Sequence, residues 1–451
     1  MPDRPGPRPR LTSRHPADGE ILRLALPALG ALVAEPLFLL ADSAIVGHLG
    51  TPELAGLGIA ATVLTTLVNV SIFLAYATTA AVARLLGAAD VAGALRQGLD
   101  GCWLALLIGV GTLGVGWPAV PFVVAMFGPG PEVAAHAETY LRISLIGIPA
   151  MLLVLAATGV LRGLQDTRTP LIVAATGAVG NVGLNILLVY GVGLGIAGSA
   201  IGTVVAQAAM AATLVVIVSR GARRHGTSLR PHWPGVRRSF GAGMPLLIRT
   251  VAMRVALVVT TVVATSLGTA PLAAHQVVFN TWILLALALD AVAIAAQALV
   301  GKSLGAGDVA EARSVTRRMV QWGVVAGFGL GALVIAGGTL YARLFTTDTD
   351  VRSLIVAALV VAAALQPIAG WVFVLDGVLI GAGDGRYLAW ASVVSVLAFL
   401  PAAAAVSALG LSGTAGLVAL WLAIGLWTAA RLVTLVVRER GDRWLVTGAV
   451  R

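Results

Sequence analysis

A chain of 451 residues that is 58% hydrophobic and only 11% charged lies far from soluble domains, in which about 25% of residues are charged. No sphere of this length hides so much apolar surface, so lipid must be the solvent for most of it. The net charge of +10 would suggest nucleic acid in a soluble protein. Here the arginines fall mainly in the gaps between apolar stretches, with no interleaved aromatics, so no nucleic-acid partner is expected.

Residues 1–20, MPDRPGPRPRLTSRHPADGE, are polar and rich in Pro and Arg. They lack the short apolar stretch of a cleavable signal and read as a disordered cytoplasmic tail, with the first span as insertion signal. Breaks at charged and Gly/Pro clusters predict twelve spans, at about 21–46, 53–83, 99–127, 138–161, 170–190, 197–219, 240–266, 272–300, 319–345, 353–380, 388–408 and 414–437. Each reaches or exceeds the roughly 20 residues that cross a bilayer, and none alternates as barrel strands do. The fold class is an all-α integral membrane protein. Arginines crowd the even-numbered gaps and both tails, whereas the odd-numbered gaps hold only Arg352. The positive-inside rule then puts both termini in the cytoplasm of a cell that carries the chain in its inner membrane.

The halves repeat at a constant offset of 218 residues. LGAADVA at 86–92 returns as LGAGDVA at 304–310, and GVLRGLQDTR at 159–168 returns as GVLIGAGDGR at 377–386. Pro27, Phe127 and Pro149 return as Pro245, Phe345 and Pro367. Six spans per unit is an even number, so the halves share one orientation and are related by a pseudo-twofold axis along the membrane normal. The predicted units are an N-lobe at 21–219, a basic linker at 220–238, a C-lobe at 239–437 and a cytoplasmic tail at 438–451. Two such bundles leave a central cleft that can open to either side in turn.

Polar residues inside spans are costly and mark function. Asp42 lies in the outer third of span 1. Asn181 and Asn185 stand at i and i+4 on span 5, hence on one face, and Thr203 lies on span 6. These four share the outer half of the first bundle, where a carboxylate with nearby amide and hydroxyl oxygens could hold a proton or a hard cation such as Na⁺. Adding 218 gives Thr260, Phe399, Ala403 and Trp421, so the repeat does not copy the cluster. A structural need common to both lobes would have been duplicated; ion coupling explains the asymmetry better than a plain interhelical hydrogen-bond cluster. A salt bridge from Asp42 to Arg142 would spoil proton exchange. Pro27 and Pro36 give span 1 potential bends.

Glu35, Asn69, Gln276 and Asn280 are cleft candidates, with packing between helices as the alternative for Glu35, Gln276 and Asn280. Arg249 and Asp290, at equal depth on adjacent spans, suggest a structural ion pair. Asp376 reads as a local cap or pair near the inner face, Arg254 has no evident partner, and His275 and Trp282 read as packing residues. The single cysteine, Cys102, excludes an intrachain disulfide framework. No phosphate loop, GxSxG, HExxH or cysteine pair occurs, so neither an enzyme, a metal site nor a cofactor is expected, and an ion gradient must drive any pumping.

These stretches have a familiar form. ALPALGALVAEPLFLLADSAIVGHLG, GVLRGLQDTRTP, LAAHQ, ALVGKSLGAGD and DGVLIGAGDGRYL together resemble the multidrug and toxic compound extrusion (MATE) family, most closely its DinF branch. The resemblance implies an antiporter that exports organic, often cationic and amphipathic compounds in exchange for H⁺ or Na⁺. It maps the coupling aspartate to Asp42, the polar pair to Asn181 and Asn185, the threonine to Thr203 and the bending proline to Pro27. Some relatives carry a second acid where this chain has Asn185. The expected partners are drug-like small molecules and the bilayer, with the protein acting as a monomer. A lipid-linked precursor flippase of the same superfamily, a passive channel and a receptor are the competing readings.

Overall fold

The computed structural model describes residues 17–449. Among them the chain is helical with short connections: α1 (Ala17–Gly47), α2 (Thr51–Ser71), α3 (Phe73–Gly87), α4 (Val91–Ala125), α5 (Pro131–Gly163), α6 (Arg168–Ile186), α7 (Gly195–Arg224), α8 (Trp233–Ser266), α9 (Thr269–Gly305), α10 (Val309–Phe345), α11 (Thr349–Gly381), α12 (Gly385–Ala408) and α13 (Gly413–Arg440). Because α2 and α3 form one span broken near Ile72, the described residues hold twelve helices long and apolar enough to cross a membrane. The break has no Pro or Gly; instead Thr62, Thr66, Asn69 and Ser71 bond back to carbonyls four residues earlier, a habit that bends helices. Large side chains such as Phe122, Val179, Phe328 and Leu344 remain exposed, an apolar coat suited to lipid.

The helices form two lobes, α1–α7 and α8–α13, with the same packing order: α1 on α6 as α8 on α12, α4 on α5 as α10 on α11, and α5 on α7 as α11 on α13. Glycines fix these approaches. A Cβ at Gly159 would strike the Ala75 backbone, and one at Gly377 would strike Ala293; Gly109 abuts Pro149 as Gly327 abuts Pro367. Each pair is separated from its copy by the offset of the sequence repeat. Gly87 packs on the Lys302 carbonyl while Gly305 packs on that of Arg84, a reciprocal contact that marks where the pseudo-twofold axis runs between the lobes.

Hydrogen bonds between the lobes gather at the end of the bundle that carries the described termini. Gln297 donates to the Tyr76 carbonyl at 2.7 Å, and Asp18 accepts from Arg318 at 2.6 and 2.8 Å and from Trp322 at 2.9 Å. Residues 17–20 are therefore part of α1 rather than tail; residues 1–16 lie outside the described residues. The chain after α13 is also packed, not free. Trp444 is fully buried, the Gly448 N–H donates to the Leu304 carbonyl, and Arg84 donates to the carbonyls of Ala382, Val446 and Gly448. Within 220–238 the helices run to Arg224 and resume at Trp233, and the loop between them is held to the N-lobe by Arg96 and Trp103.

Candidate functional site

Asp42 is 2% exposed, one turn from the end of α1, and three other helices aim donors at it. Tyr140 of α5 donates to Oδ2 at 2.7 Å; Asn185 of α6 donates to Oδ1 at 2.8 Å, and Ser199 of α7 donates a short hydrogen bond to the same oxygen. Behind them Asn185 also donates to Asn181 Oδ1 at 3.2 Å, and Asn181 donates to Thr203 at 3.1 Å. The four predicted residues thus meet in one buried network. No guanidinium enters it: Arg142 turns to Glu138 on its own helix, at 3.1 Å, and the pairing with Asp42 weighed from sequence is not formed.

Local structure explains the assembly. A π turn at Leu187–Gly191 follows the two asparagines, a distortion common at functional sites, and Tyr190 within it donates to the Ile45 carbonyl at 2.6 Å, tying α6 to α1. Gly202 leaves room for Asn185, whose amide a Cβ there would strike. The Asn185 Oδ1 itself has no hydrogen-bond partner, so an empty acceptor stands beside the carboxyl. Tyr140 and Ser199 escaped the sequence reading. Ser199 was findable, standing four residues before Thr203 on the same helix face; Tyr140, near a span end, looks like an ordinary interface aromatic.

At the pseudo-equivalent place in the C-lobe the side chains are Thr260, Ala358, Phe399, Ala403, Leu417 and Trp421, all 0% exposed. Five of them belong to a hydrophobic core. His275 fills the same region, its ring stacked 5.6 Å from Phe279 and tilted 5.9 Å from Trp421. One lobe therefore keeps a polar network where its twin keeps an apolar core.

The C-lobe charges corrected one expectation. Arg249 does not pair with Asp290; it donates to Asp376 at 2.8 Å, and Arg431 of α13 donates to the same carboxylate oxygen. Adjacent spans need not pack closely: α9 lies mainly against α11, α3, α10 and α1, while α8 lies mainly against α12. Asp290 instead faces the seam, flanked by Arg162, Arg249 and Tyr76. Asp376 is thus a buried double ion pair, not a cap, and Arg431 was missed because it falls near the end of its span.

The cleft candidates divide. Asn69 lines the central cavity, as does Trp282, and the Asn69 amide donates to the Thr65 carbonyl at 2.8 Å. Gln276 and Asn280 are exposed, on the face of α9 that continues through Ile283 and Leu287 of the cavity wall. Glu35 is accessible and follows Ala28 and Leu32 on the face of α1 that packs against Ala291 and Ile294 of α9, so it lies toward the seam. Pro27 and Pro36 lie within α1, which stays helical through both. Pro27 cannot bond the Arg23 carbonyl, and Thr167 approaches that oxygen at 3.4 Å.

The MatE family model matches residues 27–190 and 245–405; the two matches start 218 residues apart (245 − 27). Protein DETOXIFICATION 44, chloroplastic, of Arabidopsis thaliana is 32% identical over 433 residues, spanning 92% of this chain and 80% of that protein. DNA damage-inducible protein F of Escherichia coli is 28% identical over 425 residues, 93% of this chain and 91% of that one. Among solved structures, a MOP superfamily transporter from Pyrococcus furiosus superposes with a TM-score of 0.82 at 20% identity, covering 93% and 94% of the two chains. With both halves matched by the family model and relatives aligned nearly end to end, the chain belongs to the MATE family of multidrug and toxic compound extrusion transporters.

Proposed function

We propose that the protein exports organic compounds across the cell membrane by alternating access, in exchange for a proton taken up at Asp42. The observation that carries this reading is a buried carboxylate held by three neutral donors, present in one lobe only. A carboxylate free of any guanidinium can lose and regain its charge; one in a tight ion pair cannot do so readily. When ionised, Asp42 accepts from α5, α6 and α7 and holds the end of α1 against them. When protonated it must donate instead, and the unpaired Asn185 Oδ1 is the acceptor at hand. The network then reorganises, and α1 is free to shift.

That shift reaches the cleft because α1 also packs on α9 of the other lobe through Ala28, Ala291 and Ile294. With hydrogen bonds between the lobes gathered at the terminus end, the state described is closed there, and with cytoplasmic termini its cleft faces outward. Na⁺ is the second reading. The oxygens of Asp42, Asn181, Asn185, Ser199 and Thr203 form the hard, oxygen-only set such an ion prefers.

Efflux from proteoliposomes under separately imposed pH and Na⁺ gradients tests both. Asp42→Asn should abolish gradient-driven efflux while the protein still inserts and stays monomeric in detergent. Undiminished coupled transport in that variant removes Asp42 from the mechanism, and flux that runs only downhill, with no coupling ion, makes the protein a channel.

A further inference from the structure

The cleft holds more positive charge than its acids can match. A cavity of about 280 Å³ between α2 and α3 of one lobe and α8, α9, α11 and α13 of the other is lined by five charged side chains, Arg249, Arg254, Arg431, Asp290 and Asp376. Arg249 and Arg431 both bond Asp376, and Asp290 stands between Arg249 and Arg162. Arg254 is left over. Among the described residues it makes no hydrogen bond or ion pair, and no acidic side chain, Glu35 included, is near enough to act on it.

A guanidinium at membrane depth without a counter-charge is costly, and such groups face water-filled paths and mark what passes along them. Arg254 is half-buried, and the walls of the cavity it lines are apolar and aromatic: Met253, Leu257, Phe279, Trp282 and Trp427. The cluster is not inherited scaffold. Subtracting 218 from Arg249, Arg254, Asp290, Asp376 and Arg431 gives Ala31, Pro36, Ile72, Thr158 and Thr213, none of them charged. The C-lobe thus carries its own single-copy polar feature, as the N-lobe does with Asp42.

We infer that Arg254 is the anchor for an organic anion, a carboxylate carried on a flat apolar body. The planar guanidinium takes the carboxylate in two parallel hydrogen bonds, and the body lies against Phe279, Trp282 and Trp427. This rests on the transport reading and deepens it by fixing the sign of the cargo's charge. It also reverses the cationic cargo expected from sequence: a cation entering this cavity meets three guanidiniums and two acids already engaged.

Binding separates this inference from the transport reading, because it needs no gradient. The purified full chain in detergent is titrated with 2-naphthoate, its neutral amide and 2-naphthylmethylammonium, reading the change in its tryptophan fluorescence, to which Trp282 and Trp427 of the cavity wall contribute. Naphthoate should bind at least about tenfold tighter than either analogue. Arg254→Gln should erase that preference without changing the amide's affinity, and Arg254→Lys should restore part of it. If the ammonium compound binds best, or if naphthoate binds Arg254→Gln as it binds the wild type, the inference is overturned. Should Arg254→Gln not fold, the ranking of the three ligands on the wild-type protein decides by itself. Naphthoate binding without gradient-driven efflux would sink the transport reading and leave this one standing.

Discussion

The double ion pair at Asp376 offers the sharpest test of the C-lobe. Asp376 is 6% exposed and Arg249 and Arg431 are each 8% exposed, so all three are effectively out of water. Breaking a buried pair by removing one partner costs about 3–5 kcal/mol, because the remaining charge stays buried and uncompensated. Asp376→Asn leaves two guanidiniums in that state and should fall at the upper end. Arg249→Gln leaves Asp376 with Arg431, and should cost less, about 1–3 kcal/mol. The double variant removes the acid and one of the two arginines, so the losses should not add; the coupling energy between 249 and 376 should be about 2 kcal/mol, a factor of roughly 30 in the unfolding equilibrium. The same cycle between Arg249 and Asp290, which share the charge network without a direct bond, should give a clearly smaller coupling, below about 1 kcal/mol. Reversible unfolding in mixed micelles, followed by tryptophan fluorescence, reads all of these values. A coupling for 249–290 that equals or exceeds that for 249–376 would refute the pairing described here.

Tyr140→Phe removes one of three donors to Asp42, an interaction with a charged group worth about 1.5–3 kcal/mol; coupled efflux at fixed gradient should slow about tenfold or more, and an unchanged rate would take Tyr140 out of the network. Gly305→Val sets a side chain against the Arg84 carbonyl, which as backbone cannot yield. Spin labels at Ala92→Cys and Ala310→Cys in a Cys102→Ser background should then report a longer separation at the terminus end. Truncation after Arg440 deprives Arg84 of the Val446 and Gly448 carbonyls and removes buried Trp444, so the melting temperature should fall and the same label distance should broaden. Exchange of one proton inward for one monovalent anion outward moves two charges per cycle, so an inside-negative potential alone should accelerate naphthoate efflux, with each charge contributing about 2.3 kcal/mol per 100 mV. A cationic cargo would make the exchange electroneutral, and potential-independent efflux would speak against the anion.

The sequence alone determined the solvent, the span count, the duplication and the lobe that carries the acid. Those properties are local or periodic: apolar runs must match bilayer thickness, and a duplication leaves its offset in the letters, down to Gly159 and Gly377 facing Ala75 and Ala293. Spacing also placed Asn181 and Asn185 on one face, because i and i+4 lie together on any helix. Which groups meet across helices was decided only by tertiary structure. Arg249 and Asp290 share a depth and neighbouring spans, yet α8 and α9 diverge to different partners, and Asp376 took both arginines. Tyr140 and Ser199 joined Asp42 for the same reason, since depth is one coordinate and contact needs three. Arg254 had no evident partner by depth in the sequence, but only the assignment of Asp290 and Asp376 to other arginines in space established it as unpaired, because an unpaired guanidinium is defined by what surrounds it and not by what precedes or follows it in the chain.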